Sequence, residues 1–155
     1  MIREAAGGDA DRLAGFYREL APSSRNVNVL PERVEQIRRD PNNFLFIYEE
    51  EGIPLGTVFL TLCMDPAYEF RPYGVIEYMF VAESARGRGI GSALLEHAER
   101  LCAAKHCTRV SLMSGSERTE AHRFYESRGY KGTASKAFKK YIRVTPVNWP
   151  EQPPS

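Results

Sequence analysis

The chain has 155 residues, a formal net charge of +1 and a charged fraction of 26%, enough length for one domain with a substantial core and no global field that would recruit nucleic acid. No run approaches the ~18 consecutive apolar residues that a bilayer span needs. The N-terminal MIREAAGGDADR also lacks an apolar signal core, so a soluble cytoplasmic protein without membrane or nucleic-acid partners is expected.

Cys63, Cys102 and Cys107 form no CxxC pair, and His97, His106 and His122 lack metal-ligand spacing with carboxylates. Neither a disulfide framework nor a metal site is therefore expected.

In chain order, Met1–Ala5 reads as a short edge strand. Asp9 is placed to cap a helix through Leu20, in which Leu13, Phe16, Tyr17 and Leu20 share one face. After the polar loop Ala21–Val29, Pro31 opens a second short helix with Val34 and Ile37 turned inward, ending near Asp40-Pro41. Two β-rich runs, Asn43–Glu49 and Leu55–Met64, flank Glu51-Gly52 and predict a hairpin. The loop Asp65–Tyr73, with two prolines, ends the meander.

A strand over Gly74–Val81 then runs through Ala82–Arg86 into a glycine turn and an amphipathic helix, about Gly89–Lys105. Thr108–Ser114 predicts a strand parallel to the one before the helix, because a helical crossover joins them. A further helix, Thr119–Ser127, capped by Ser116 or Thr119, is closed by Gly129. A last strand is expected over Ala137–Val144, and Pro146–Ser155, with four prolines, reads as a tail outside the 1–145 domain.

The turn Arg86-Gly87-Arg88-Gly89-Ile90-Gly91 carries the chemistry. Alternate glycines let a ligand approach the backbone, and the following helix aims unpaired N–H groups and its positive dipole end at the same place. Such a cradle suits a diphosphate. A Walker loop would need a lysine before Ser92, and a dinucleotide fingerprint would need glycine where Ser92 stands.

The pattern resembles motif A of the GNAT superfamily of acyl-CoA-dependent N-acetyltransferases, Gln/Arg-x-x-Gly-x-Gly/Ala. A second segment, Glu120-Ala-His-Arg-Phe-Tyr125-Glu-Ser-Arg-Gly-Tyr130, is similar to that family's Ala-x-x-Phe-Tyr-Glu signature, and the predicted element order fits over roughly residues 1–143. The resemblance implies an α/β (α+β) single domain: a mixed, mostly antiparallel sheet of six to seven strands flanked by about four helices. One departure is Arg118, which stands where relatives often carry asparagine.

The resemblance also implies acetyl-CoA as cosubstrate. Its pyrophosphate would be bound by the turn Gly87, Arg88, Gly89, Ile90, Gly91 and Ser92, with Arg86 and Arg88 adding charge. Its pantetheine arm and thioester carbonyl would meet the amides of Met79, Phe80 and Val81, where the strand splays from its neighbour. Glu77 is the expected general base, desolvated by Tyr78 and Phe80, and Tyr125 the expected general acid. Arg25, Arg71, Tyr73 and His122 are the expected contacts to a small-molecule amine acceptor. Acetylation of a protein or peptide amino group, or non-catalytic acyl-CoA binding, is the alternative outcome. Relatives pair through strands near the C-terminus, so a homodimer with contact at Ala137–Val144 is also expected.

Overall fold

The computed structural model describes residues 1–24 and 26–142. Five strands form one sheet in the spatial order of the chain: β1 (Ile2–Glu4), β2 (Asn43–Glu50), β3 (Ile53–Met64), β4 (Pro72–Val81) and β5 (Val110–Leu112). The first four pair antiparallel and β5 pairs parallel with β4. The hairpin turn has Glu51 and Gly52 both at positive φ, 49° and 78°, the backbone that joins two strands by two residues.

Helices cover both faces. Helices α1 (Ala10–Leu20) and α2 (Pro31–Arg39) bury Leu13 and Val34 against Leu45 and Ile47 on one side. Helix α3 (Ile90–Ala104) lays Ile90, Leu94, Leu95, Ala98 and Cys102 over Phe46, Val58, Leu60 and Ile76 on the other, and Tyr125 of α4 (Thr119–Ser127) joins that layer. Both faces of the central strands are thus removed from water, the arrangement that makes their sequences nearly continuous in apolar residues.

Both helices of the second layer close in the same way. At the end of α3, His106 has φ +62° and the amides of His106 and Cys107 donate to the carbonyls of Ala103 and Cys102. At the end of α4, Gly129 has φ +93° and the amides of Gly129 and Tyr130 donate to Glu126 and Tyr125. Each is a Schellman closure, and Tyr125 and Tyr130 make its accompanying side-chain contact, ring centroids 6.1 Å apart.

Three expectations change. Asp9 does not cap α1 with its side chain; its carboxylate accepts from the upstream Ala6 amide at 2.8 Å and from Arg3, because a short 3-10 turn, Gly7–Asp9, precedes the helix. Helix α4 takes Arg118 as its N-cap residue rather than Ser116 or Thr119. The last strand does not form across 137–142, leaving Phe138 86% and Ile142 63% exposed, so the sheet has five strands among the described residues rather than six or seven. Alternation and β-propensity favour a strand there, but a strand also needs a partner edge, and the segment has none. The rest of the expected Ala137–Val144 strand and the 146–155 tail lie outside the described residues. No helix among the described residues is long and apolar enough to cross a membrane.

Candidate active site

Two features of β4 open a cleft. Its pairing with β5 lasts only from Gly74↔Val110 to Ile76↔Leu112, after which β4 runs on to Val81 while the other chain turns away toward α4. Its register with β3 also slips, from Phe59↔Glu77 to Thr57↔Phe80, so Tyr78 and Met79 together oppose Val58. This is a β-bulge, and Tyr78 sits in it at φ +53°. A bulky aromatic in the left-handed region is an outlier that its surroundings must hold in place.

The bulge puts two consecutive side chains on one face. Ile76 packs in the α3 layer and Phe80 packs on Phe16 of α1, with Met79 and Val81 returned to the α3 side. Glu77 and Tyr78 both face the α1 side, Glu77 opposite Phe59 and Tyr78 against the Tyr17 ring at 4.9 Å.

The cleft itself has a volume of about 720 Å³ and is lined by Met79, Phe80 and Val81 from β4, by Arg86, Gly87 and Gly89 to Ser92 of the turn but not Arg88, and by Arg118, Phe124 and Tyr125 from the start and body of α4. Helix α3 begins at its N-cap residue Gly89, φ +79°, and its first backbone bond runs from the Ala93 amide to the Gly89 carbonyl. The amides of Ile90, Gly91 and Ser92 therefore have no acceptor within the helix and point out of its positive end. At Gly87 and Gly89 a Cβ would meet no protein atom within 4 Å, so glycine is required there by the left-handed backbone and the open cleft, not by packing.

The two arginines of the turn are partly committed. Arg88 pairs with Glu50 at 2.6 Å, and Arg86 donates from Nε to the Val81 carbonyl at 3.0 Å with its guanidinium over the Phe80 ring. Arg128 bonds Ser92 Oγ and Glu96, tying α4 to the first turns of α3.

Tyr125 is buried at the junction of this cleft and a second cavity of about 860 Å³ beneath the Tyr130–Ala137 segment. Burial pushes its phenol above the ordinary value, and the nearby Arg118 charge opposes that shift. Arg118, where relatives often carry asparagine, thus stands at the N-cap position of α4 without a side-chain capping hydrogen bond and places a cation beside Tyr125. Ser114 Oγ and Tyr130 OH, at the edge of the second cavity, are buried without hydrogen-bond partners.

The other expected site residues are dispersed. Glu77 is exposed, so the desolvation expected from Tyr78 and Phe80 is not present. Arg71 donates to the His106 carbonyl and Tyr73 lies under the Arg109 guanidinium at 4.0 Å. Tyr73 stands at the start of β4 and Arg71 just before it, the six steps from Arg71 to Glu77 span roughly 20 Å, and neither residue lines the cleft. His122 holds Gly115 O at 2.7 Å through Nε2 and borders the second cavity. Arg25 lies outside the described residues. No sequence signal pairs Tyr17 with Tyr78; only the bulge, which leaves no signature in strand periodicity, brings them together.

The profile of the Acetyltransferase (GNAT) family matches residues 11–130. The chain belongs to this family. Among named relatives, it is 26% identical over 130 residues to the aminoalkylphosphonate N-acetyltransferase of Salmonella typhimurium, covering 84% of each chain. Its fold superimposes on a structure described as a transcriptional regulator from Bacillus halodurans with a TM-score of 0.82, at 26% identity, covering 92% of this chain and 99% of that one. An aminoglycoside N-acetyltransferase in complex with CoA shares the fold with a TM-score of 0.76 at 20% identity, covering 91% and 93%. The GNAT assignment carries the α+β fold and the acyltransferase class with it, and the mixed sheet opened at β4/β5 is its structural counterpart here.

Proposed function

We propose that this GNAT protein transfers the acetyl group of acetyl-CoA to a primary amine of a small molecule, by direct attack within a ternary complex. The observation that carries this reading is the single cleft in which a glycine turn, a helix N-terminus, the free end of β4 and a buried tyrosine meet. A named relative that acetylates aminoalkylphosphonates and a fold neighbour bound to CoA support it.

In this reading the amides from Arg88 to Ser92 hold the pyrophosphate, at ~0.3–2 kcal/mol for each favourable helix-end contact. The backbone of Met79–Val81, freed from β5, supplies donors for the pantetheine amides and the thioester carbonyl, whose growing negative charge they stabilise. An alkylamine with pKa ~10.4 costs roughly 4–5 kcal/mol to neutralise at pH 7. Glu77, one residue before the bulge and open to solvent, takes that proton through a water. The nitrogen lone pair then forms the C–N bond, the C–S bond breaks, and Tyr125 gives the departing sulfur a proton or a strong hydrogen bond. A phenol near 10 is a weak acid toward a thiol near 8.5, uphill by ~2 kcal/mol, and burial makes Tyr125 weaker still. Its contribution is therefore a hydrogen bond that strengthens as charge builds on sulfur, followed by proton transfer.

Release of CoA thiol from acetyl-CoA across a panel of small amines tests the reading, with Glu77→Gln and Tyr125→Phe as controls. Absence of thiol release above background with every amine sinks it. The cytoplasmic location and a homodimer complete the proposal, the latter checked by light scattering.

A further inference from the structure

The bulge of β4 sets Glu77 and Tyr78 side by side on the α1 face, where the mechanism so far uses only the carboxylate. Tyr78 is 48% exposed although it is a large aromatic, and its backbone is held at φ +53°. The ring is not loose: Tyr17, itself partly buried, packs against it with ring centroids 4.9 Å apart and a 49° tilt. Among the described residues Glu77 has no ion-pair or hydrogen-bond partner, so an exposed carboxylate and an exposed ring face stand together without a cation. A strained residue maintained beside unpaired charge marks a ligand site more often than a packing device.

We propose that Glu77 and Tyr78, backed by Tyr17, receive the acceptor as an alkylammonium cation, and that the site therefore selects primary amines bearing no anionic group on the carbon next to nitrogen. The proposal rests on the N-acetyltransferase reading above and deepens it by naming the acceptor class. An ammonium over a tyrosine face gains from the ring quadrupole, and the adjacent carboxylate adds charge attraction across the bridging water. A carboxylate or phosphonate one carbon from the nitrogen would be forced against Glu77, where like charges repel. Burial, then the neighbouring Glu77 and Tyr141, hold the Tyr78 phenol above its ordinary value, so the ring meets the cation as a neutral phenol.

The experiment is calorimetric titration of the full chain saturated with CoA, using matched pairs: tyramine against tyrosine, and 2-aminoethylphosphonate against 1-aminoethylphosphonate. The first member of each pair is expected to bind at least tenfold more tightly. Tyr78→Asn removes the ring while suiting the left-handed backbone, so it folds, and it is expected to weaken tyramine about tenfold without changing CoA affinity. Glu77→Gln is expected to narrow the gap within each pair to about threefold. Equal or reversed preference within the pairs, tyramine affinity within twofold in Tyr78→Asn, or no amine binding at all overturns the inference. Selective binding without CoA release from acetyl-CoA instead overturns the acetyltransferase reading and leaves the ammonium receptor standing.

Discussion

Gly74 of β4 lies so close to Cys102 of α3 that a Cβ on residue 74 would stand 2.6 Å from the Cys102 sulfur and 3.2 Å from Leu60 Cδ1. The glycine is the depression in the sheet into which the helix sets its thiol. Cys102 is accordingly buried, and burial together with the neighbouring Cys107 raises its thiol to about 12, which keeps it an inert packing group. Gly74→Ala is expected to cost about 1–3 kcal/mol through overpacking. Adding Cys102→Ala makes room for the new methyl group, so the double variant is expected to be more stable than the sum of the two single changes. Urea denaturation of the four proteins in the cycle checks this, and simple additivity refutes the contact.

Tyr125→Phe removes the proposed proton donor without removing the ring that packs in the α3 layer. The fall in kcat is expected to be on the order of a hundredfold, with KM for acetyl-CoA little changed. Because burial raises the phenol, the protonated form that the role requires persists to higher pH than in a free tyrosine. The kcat profile of the unaltered protein is thus expected to show no loss assignable to Tyr125 below about pH 10. A decline absent from Tyr125→Phe but present in the parent below that point would speak against the role.

The glycines of the turn separate folding from binding. A Cβ at Gly91 has ordinary room, 3.7 Å from Phe124 and Val81, and lies in the first turn of α3. Gly91→Ala should therefore hold or raise the melting temperature while weakening acetyl-CoA binding several-fold, because the methyl group occupies the cleft. Gly89, at φ +79°, behaves oppositely: Gly89→Ala is expected to lose about 1–2 kcal/mol of stability to backbone strain. Thermal melts and CoA titrations of the two variants distinguish the causes.

Asp9 predicts an acid-sensitive joint far from the cleft. Arg3 bonds both its oxygens, at 2.8 and 2.9 Å, and also bonds Glu49 at 2.9 Å. The Arg3 hydrogen bonds, aided by the Ala6 amide, hold the Asp9 carboxyl below its ordinary value. With the folded value depressed, the stabilisation is fully present above the unfolded value near ~3.9 and is lost as pH falls from there toward the folded one. Asp9→Asn is expected to cost ~1.5–3 kcal/mol at pH 7 and much less near pH 2. An Asn effect that does not shrink on acidification would show that shape rather than charge is responsible.

The glycine turn was legible because three residues in a row of six have no alternative local use, and the Phe124-Tyr125 segment because it resembles the second GNAT signature and follows the turn in the expected order. Helices α1 to α4 followed from period and punctuation. What could not be read was anything set by pairing. The bulge at Tyr78 depends on Val58, on the neighbouring strand β3, and no single strand records it. His106 takes a left-handed φ with no glycine to announce it. The segment 137–142 alternates as a strand should, yet strand formation is decided by an available edge. Arg71 and Tyr73 were expected as acceptor contacts because they belong to the Asp65–Tyr73 loop, but Arg71 is held by the His106 carbonyl and Tyr73 lies under Arg109, partners that sequence spacing does not record.

The bulge has a consequence for β4 as an ordered series. Residues before it present even-numbered side chains, such as Gly74 and Ile76, to α3, while residues after it present the odd-numbered Met79 and Val81. One additional residue has shifted the strand's frame, so that a single element obeys one parity where it builds the core and the opposite parity where it lines the cleft. Deleting Tyr78 would restore one parity throughout: Met79 and Phe80 would keep their faces, and Glu77 would have Phe80 in place of Tyr78 as its next neighbour on the α1 side.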